Sequence, residues 1–337
     1  MPEPAPAKLR SDRPPGAGVH RFAVATAAAT LGLIFAGGLV TSTESGLSVP
    51  DWPTTYGWNM FTFPVSKWVG GIRFEHTHRL IASGVGFLTI LLAIALARRE
   101  PRRWVRRLGY AALAVVVAQG LLGGITVLFL LPTGVSVAHA CLAQTFFCLV
   151  VTIAVVTSPR WKDRVVAGPR MLFAANPVAR AAAAAGIAVF LQLLVGAVMR
   201  HTKAGLAIPD FPLAFGRLVP SIHSFPVAIH FVHRVGALVV AVLVAVCVVR
   251  AFRSGRPGLK RFSVLLGALV LVQIGLGGLT VLTQKSVAIT TAHVAAGALI
   301  LGGTLVLGLA SMAAETIAGN VVPIRRAAVA GKAAGWK

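Results

Sequence analysis

Acid is what this chain has least of. Its 337 residues carry 9 Asp and Glu against 32 Lys and Arg, a formal net charge of +23. Charged residues make up only 12% and hydrophobic ones 56%. That balance excludes an ordinary soluble domain and indicates a polytopic membrane protein. A basic excess of this size would suit a nucleic-acid binder. Here, however, the Lys and Arg sit between apolar runs and not along one soluble face, so no nucleic-acid partner is expected. Cysteine is scarce too. Cys141, Cys148 and Cys247 all lie inside apolar runs. There is no disulfide framework and no CxxC pair, and all three read as small buried hydrophobes.

Long apolar runs dominate instead. Eight can cross a bilayer: Phe22–Val40, Thr77–Ala97, Leu108–Leu130, Val135–Val156, Ala181–Val198, Val227–Val249, Phe262–Leu282 and Val287–Met312. The first is not a signal peptide, because an equivalent run recurs before the second Pro-Asp motif described below. The connection after the second run carries Arg98, Arg99, Arg102, Arg103, Arg106 and Arg107. The connection after the fourth carries Arg160, Lys162, Arg164 and Arg170, and that after the sixth Arg250, Arg253, Arg256, Lys260 and Arg261. The alternate connections carry few. Positive-inside therefore places both termini in the cytoplasm. Two outer connections, Thr41–His76 and Arg200–Pro226, are long and rich in Pro, Gly and aromatics, and are expected to fold as caps over the membrane.

The chain repeats itself. Gly46-Leu47-Ser48-Val49-Pro50-Asp51-Trp52-Pro53 matches Gly205-Leu206-Ala207-Ile208-Pro209-Asp210-Phe211-Pro212, an offset of 159 from Asp51 to Asp210. His78-Arg79 matches His233-Arg234 at an offset of 155 (78 to 233). Gln119 with Gly123-Gly124 matches Gln273 with Gly277-Gly278, and His139 matches His293, both at 154 (119 to 273, 139 to 293). A near-constant offset reads as tandem duplication of a four-helix unit. Four is even, so the repeats are parallel. The expected fold is all-α and integral to the membrane, eight transmembrane helices forming two tandem, parallel-repeat four-helix bundles. The expected divisions are a cytoplasmic tail at 1–21, an N-terminal bundle at 22–157, a cytoplasmic linker at 158–179, a C-terminal bundle at 180–312 and a second tail at 313–337.

Ionisable groups inside a membrane are costly and mark function. Glu75-His76-Thr77-His78-Arg79 stands at the head of the second run. The four repeat-matched histidines, His78, His139, His233 and His293, lie near the outer starts of the even-numbered helices, at similar depth. Two imidazoles from facing helices of a bundle can ligate a haem iron from both sides. Zinc suits the pattern poorly, because each half lacks nearby Cys or paired carboxylates. Gly120, Gly123, Gly124, Gly275, Gly277 and Gly278 could leave room for a macrocycle, although such glycines also serve helix approach. Arg79 and Arg234 are candidates for haem propionates, with Arg73 and Arg217 in the outer loops. Asp51 and Asp210 read as loop-folding residues, and His20, His201 and His223 carry weak functional signals.

One asymmetry separates the halves. Glu75 aligns with His230, and His76 with Phe231. The half with Glu75 is expected to do proton chemistry on a bound tetrapyrrole. The half with His230 and His233 is expected to hold a haem that transfers electrons. A di-haem electron-transfer cytochrome also explains the histidines but leaves Glu75 without a necessary role. A transporter is a further alternative, disfavoured because helix interiors are nearly free of charge.

Taken together, Gly46-Leu47-Ser48 with Asp51-Trp52-Pro53, Glu75-x-x-His78-Arg79, His139, His233-Arg234 and His293 resemble the haem A synthase family over residues 22–312. The resemblance implies an enzyme that oxidises the C8 methyl of haem O to a formyl group, through a hydroxylated intermediate with water as oxygen source, giving haem A for terminal oxidases. It implies that His78 and His139 flank substrate haem O, with Glu75 beside it as acid/base or cation-stabilising catalyst. It implies that His233 and His293 ligate a haem b cofactor, so all four are ligands to haem iron. An electron acceptor is implied but not identified, and the enzyme that makes haem O is a candidate partner alongside membrane lipid. The acidic Glu3 and Asp12 in a short Pro-rich tail do not resemble a transit peptide, which favours a bacterial cytoplasmic membrane with the haem sites toward its outer face. The chain departs from some members in having no Cys within Thr41–His76, and from many in having Ser at position 42 where they have Arg.

Overall fold

A computed structural model describes residues 17–162, 173 and 176–313. Most of both expected tails and of the expected linker lies outside the described residues. The long helices are α1 (Ala17–Ser42), α2 (Ile72–Arg99), α3 (Arg103–Leu128), α4 (Thr133–Thr157), α5 (Pro177–His201), α6 (Phe225–Arg253), α7 (Pro257–Leu282) and α8 (Val287–Met312). Each is long and apolar enough to cross a membrane. The protein is all-α and integral to the membrane, as its composition indicates. Lipid-facing side chains such as Phe87, Ile187 and Leu271 stay exposed on helices that are apolar all round, the pattern of spans solvated by acyl chains.

The helices outrun the apolar runs. The second span begins at Ile72 and not Thr77, so Glu75 to Arg79 already lie on α2. The fifth begins at Pro177, where the Asn176 side chain accepts the N–H groups of Val178 and Ala179 at 3.0 Å each. The seventh begins at Pro257. Hydropathy marks where the chain is in lipid. Capping residues and a proline in the first turn mark where the helix starts.

Within each set of four consecutive helices the contacts close a ring. α1 packs on α2, α2 on α3, α3 on α4 and α4 on α1; α5, α6, α7 and α8 do the same. The rings meet through α4 against α8, flanked by α1 against α8 and α4 against α5. At this seam the ring of Phe147 on α4 fills the space left by Gly302 on α8.

Two arginines at the basic end serve more than topology. Arg102 donates to the carbonyl of Val156 at the end of α4 at 2.8 Å, and forms an ion pair with Glu100. Arg256 donates to the carbonyls of Ser311 and Ala313 at the end of α8, at 2.7 and 3.0 Å. In both rings a cation thus caps the unsatisfied carbonyls of the fourth helix.

Both long connections, between α1 and α2 and between α5 and α6, are folded. Asp51 accepts the N–H groups of Tyr56 and Gly57 at 2.7 and 2.9 Å, and the Thr54 hydroxyl. Asp210 accepts those of Phe215 and Gly216 at 2.8 Å each. Each turn runs through two positive-φ residues, Tyr56-Gly57 and Phe215-Gly216, which is why glycine stands at the second place. Burial acts to raise the Asp51 carboxyl, but the Gly57, Thr54 and Tyr56 donors outweigh it and hold the group below its ordinary value. The Gly216 and Phe215 donors do the same for Asp210.

Candidate functional site

The glycine pattern is what positions the four histidines. A Cβ on Gly37 would lie 3.1 Å from His78 Cε1, and one on Gly123 3.0 Å from His139 Cε1. A Cβ on Gly196 would lie 3.1 Å from His233 Cε1, and one on Gly277 3.2 Å from His293 Cε1. Each imidazole therefore rests against the backbone of the preceding helix, where a side chain in place of glycine would press on the ring. Gly123 and Gly277, which in sequence could leave room for a macrocycle or serve helix approach, lie directly against imidazoles. Gly124 and Gly278 have yet another task. A Cβ there would strike the ring of Trp52 or Phe211 at 2.5 and 2.7 Å, so these glycines lodge the loop aromatics that follow Asp51 and Asp210. Gly37 and Gly196 were not singled out from sequence, because a glycine in an apolar run carries no motif of its own. Their common offset of 159 (37 to 196), the same as that of the Asp pair, was the available signal.

The rings pair their histidines. His233 and His293 face each other with centroids 6.4 Å apart and planes at 62°. In the first ring the corresponding residues are His78 on α2 and His139 on α4. Nδ1 of His78 and Nδ1 of His139 are buried with no hydrogen-bond partner, which leaves them available as ligands. Gln119 Nε2 lies 3.3 Å from His139 Nε2, and Gln273 Nε2 3.4 Å from His293 Nε2. The second ring adds a glutamine that sequence reasoning missed. Gln192 Nε2 donates to the His233 carbonyl at 2.6 Å and lies 3.1 Å from His233 Nδ1. The first-ring imidazoles, with orphaned buried nitrogens, and the facing second-ring pair, whose nitrogens lie beside Gln192 and Gln273, both fit the axial ligation of a haem.

Glu75 is buried on the first turn of α2 and both its oxygens are engaged. Oε1 accepts from Arg79 Nη2 at 2.6 Å, and Oε2 from the Val49 N–H at 2.8 Å. Arg79 also donates to the carbonyls of Val49, Asp51 and Thr54 at 2.7–3.0 Å. Arg234 donates to those of Ile208, Asp210 and Leu213 at 2.7–3.1 Å. These two guanidiniums, possible propionate contacts in sequence, clamp the long loops to α2 and α6 through these bonds. At the place of Glu75, the second ring has His230, whose Nδ1 is 3.2 Å from the Ile208 N–H.

His76 is fully buried away from the pairs. Its Nδ1 is 3.2 Å from the Thr55 hydroxyl, and its ring lies 4.7 Å from that of Trp68. His20 Nδ1 is 2.9 Å from the Ala154 carbonyl, and His223 is exposed. His201 closes α5. Beside it, Arg200 reaches across the seam to the Gly38 carbonyl at 3.1 Å and the Ser42 hydroxyl at 2.7 Å.

Fold and site together define an eight-helix integral membrane protein with paired, glycine-seated imidazoles in each of two helix rings. The chain belongs to the cytochrome oxidase assembly protein family, COX15-CtaA, which it matches over residues 71–305. It is similar to the heme A synthase of Symbiobacterium thermophilum, 32% identical over 77% of this chain and 85% of that protein. It is also similar to those of Halalkalibacterium halodurans, 29% identical over 81% and 90%, and Caulobacter vibrioides, 29% identical over 87% and 95%.

Proposed function

We propose that this protein is a haem A synthase: an oxidoreductase that converts the C8 methyl of haem O to a formyl group, with water as the oxygen source. Converting the methyl and one water to a formyl group releases electrons and protons in equal number overall, the protons coming partly from the carbon and partly from the water, so the site must dispose of both. The observation that carries the reading is the contrast between two otherwise matched rings. Both seat two imidazoles on glycines, but only the first has a carboxylate, Glu75, one turn from a histidine of the pair. Two identical electron-transfer haems would not need that difference, and neither would a transporter. The family and the named relatives point the same way.

In this reading His78 and His139 hold substrate haem O in the first ring, and His233 and His293 hold haem b in the second. Haem b, when bound, supplies one-electron transfer toward an acceptor of the membrane or its surface. Glu75 takes up protons released at the substrate methyl, or steadies positive charge there, once its contact with Arg79 opens. The two rings are products of a tandem duplication, with the bundles spanning 22–157 and 180–312. Both termini face the cytoplasm of a bacterium and the histidine pairs lie toward the outer face, with the enzyme that makes haem O as a candidate partner. Expression of the full chain with and without a source of haem O tests the reading. A formyl-bearing haem that appears only with the source is the expected result, and its absence would reject the enzyme.

A further inference from the structure

The two rings hold their matched histidines differently. His233 is gripped at two points by Gln192 of α5, whose Nε2 donates to the His233 carbonyl at 2.6 Å and lies 3.1 Å from Nδ1 of the imidazole. His293 is held as well, with its Nδ1 3.2 Å from the Gln273 carbonyl. In the first ring, Nδ1 of His78 and Nδ1 of His139 are both buried with no hydrogen-bond partner among the described residues. The side chains of Gln119 and Gln273 stand at matching places and approach Nε2 of His139 and of His293 alike, at 3.3 and 3.4 Å. These two amides therefore do not set the rings apart, and Gln192 does.

The glycine seats fix which residues correspond. Gln192 stands four residues before Gly196, the seat of His233, and Leu33 stands four before Gly37, the seat of His78. The first ring thus has an aliphatic side chain where the second has an amide. A second difference accompanies it on α6. Gly236 comes three residues after His233, and a Cβ there would stand 2.1 Å from Gln192 Oε1. The first ring has Ile81 at that place, three residues after His78. The amide and the glycine that makes room for it occur together in one ring, and aliphatic residues replace both in the other. An amide in an apolar span is costly unless it is bonded, and the bonds this one makes are to His233.

We infer that Gln192, in the space kept by Gly236, is a positioning residue that makes His233 a firm ligand for a resident haem. The inference rests on the proposed function and deepens it. A hydrogen bond to the nitrogen that faces away from the iron fixes a ligating imidazole and tunes its basicity, and losing one costs about 10–100-fold in affinity. A terminal amide has a donor and an acceptor end, so it can serve Nδ1 with or without a proton. The proposed division of labour needs such a difference. The second ring must keep its haem through many turnovers, whereas the first must take haem O in and let the product go. Gln192 tethers the imidazole of the ring that keeps its haem, and Leu33 leaves His78 without a side-chain tether.

The test uses Gln192→Leu and Gly236→Ala, each in the full chain expressed with a haem O source and purified in detergent. Gly236→Ala keeps Gln192 but displaces its amide by one methyl group. Three quantities are read for haem B: its low-spin absorption, its midpoint potential and its rate of loss to added apomyoglobin. Haem O and haem A are quantified by mass spectrometry of the extracted haems. Both variants are expected to lose haem B about tenfold faster than the wild type, with shifted absorption and potential, and to keep wild-type amounts of haem O and haem A. A wild-type loss rate and spectrum in Gln192→Leu would overturn the inference and leave the enzyme reading standing. Faster loss with unchanged absorption and potential would overturn it too, since Gln192 would then act through packing alone. Should Gln192→Leu fail to fold, Gly236→Ala decides by the same readouts. A wild-type chain that holds no haem B would overturn the proposed function and this inference together.

Discussion

Glu75 and His230 occupy the same place in the two rings, and each faces the backbone N–H of the residue before a Pro-Asp pair, Val49 at 2.8 Å and Ile208 at 3.2 Å. The position therefore has a loop-anchoring duty common to both rings, on which the first ring superimposes a carboxylate. The two duties are separable. Glu75→His should reproduce the second ring's anchor, leave the outer loop folded and the second-ring haem in place, and abolish haem A formation. Glu75→Gln should keep the Val49 contact and lose conversion as well. Conversion at the wild-type rate by either variant, measured by haem extraction, would remove Glu75 from the chemistry.

The glycine seats predict a steric effect that is local to one ring. Gly196→Val would push a branched side chain into His233, where even a Cβ stands 3.1 Å from Cε1. Overpacking of this kind costs roughly 1–3 kcal/mol. The haem spectrum of the second ring should shift or disappear, while Gly37→Val should act on the first ring only. Identical spectral changes from both substitutions would contradict the assignment of one imidazole pair to each ring.

Asp51 and Asp210 give the two long loops a defined acid limit. Both carboxyls are held below their ordinary value of 3.8, Asp51 despite burial and Asp210 by the Gly216 and Phe215 donors. A depressed folded-state value stabilises above the unfolded value and is lost as pH falls through the folded one. Loop protection in hydrogen exchange should therefore be flat from neutral pH down to about 4 and decline only below it. Asp210→Asn should exchange faster in residues 210–217 already at neutral pH. A decline that begins near pH 6 would assign the loops' support to other groups.

Arg200 ties the rings together through the Gly38 carbonyl and the Ser42 hydroxyl. Arg200→Leu leaves both acceptors without this donor at a half-buried seam, a loss of roughly 1–3 kcal/mol. The melting temperature in detergent should drop, and Ser42→Ala should lower it less. An unchanged melting temperature for Arg200→Leu would show that packing of α4 on α8 alone carries the seam.

Much of this molecule is legible in its residues because the membrane simplifies the reading. Spans must be apolar and charges must be exceptional, so the eight helices and the four matched histidines stand out against their surroundings. The ends of the helices were less legible, since α2 begins five residues before its apolar run. The duties of small and cationic residues were the least legible. Gly123 and Gly124 are neighbours in sequence yet receive an imidazole and an indole on different sides of α3. Arg79 reads as an anion site beside a histidine, but carbonyls of a loop more than twenty residues upstream take its donors. Arg102 and Arg256 read as topology signals and also cap α4 and α8. In each case the partner comes from a distant part of the chain, and sequence proximity does not show it.

The division of labour between the rings is tested most directly by mass spectrometry of the haems held by His78→Ala and His233→Ala, each expressed as the full chain with a haem O source. His78→Ala should retain haem B and lose haem O and its oxidised products. His233→Ala should lose haem B and its low-spin spectrum. Loss of haem B from His78→Ala with retention in His233→Ala would contradict the account at its centre.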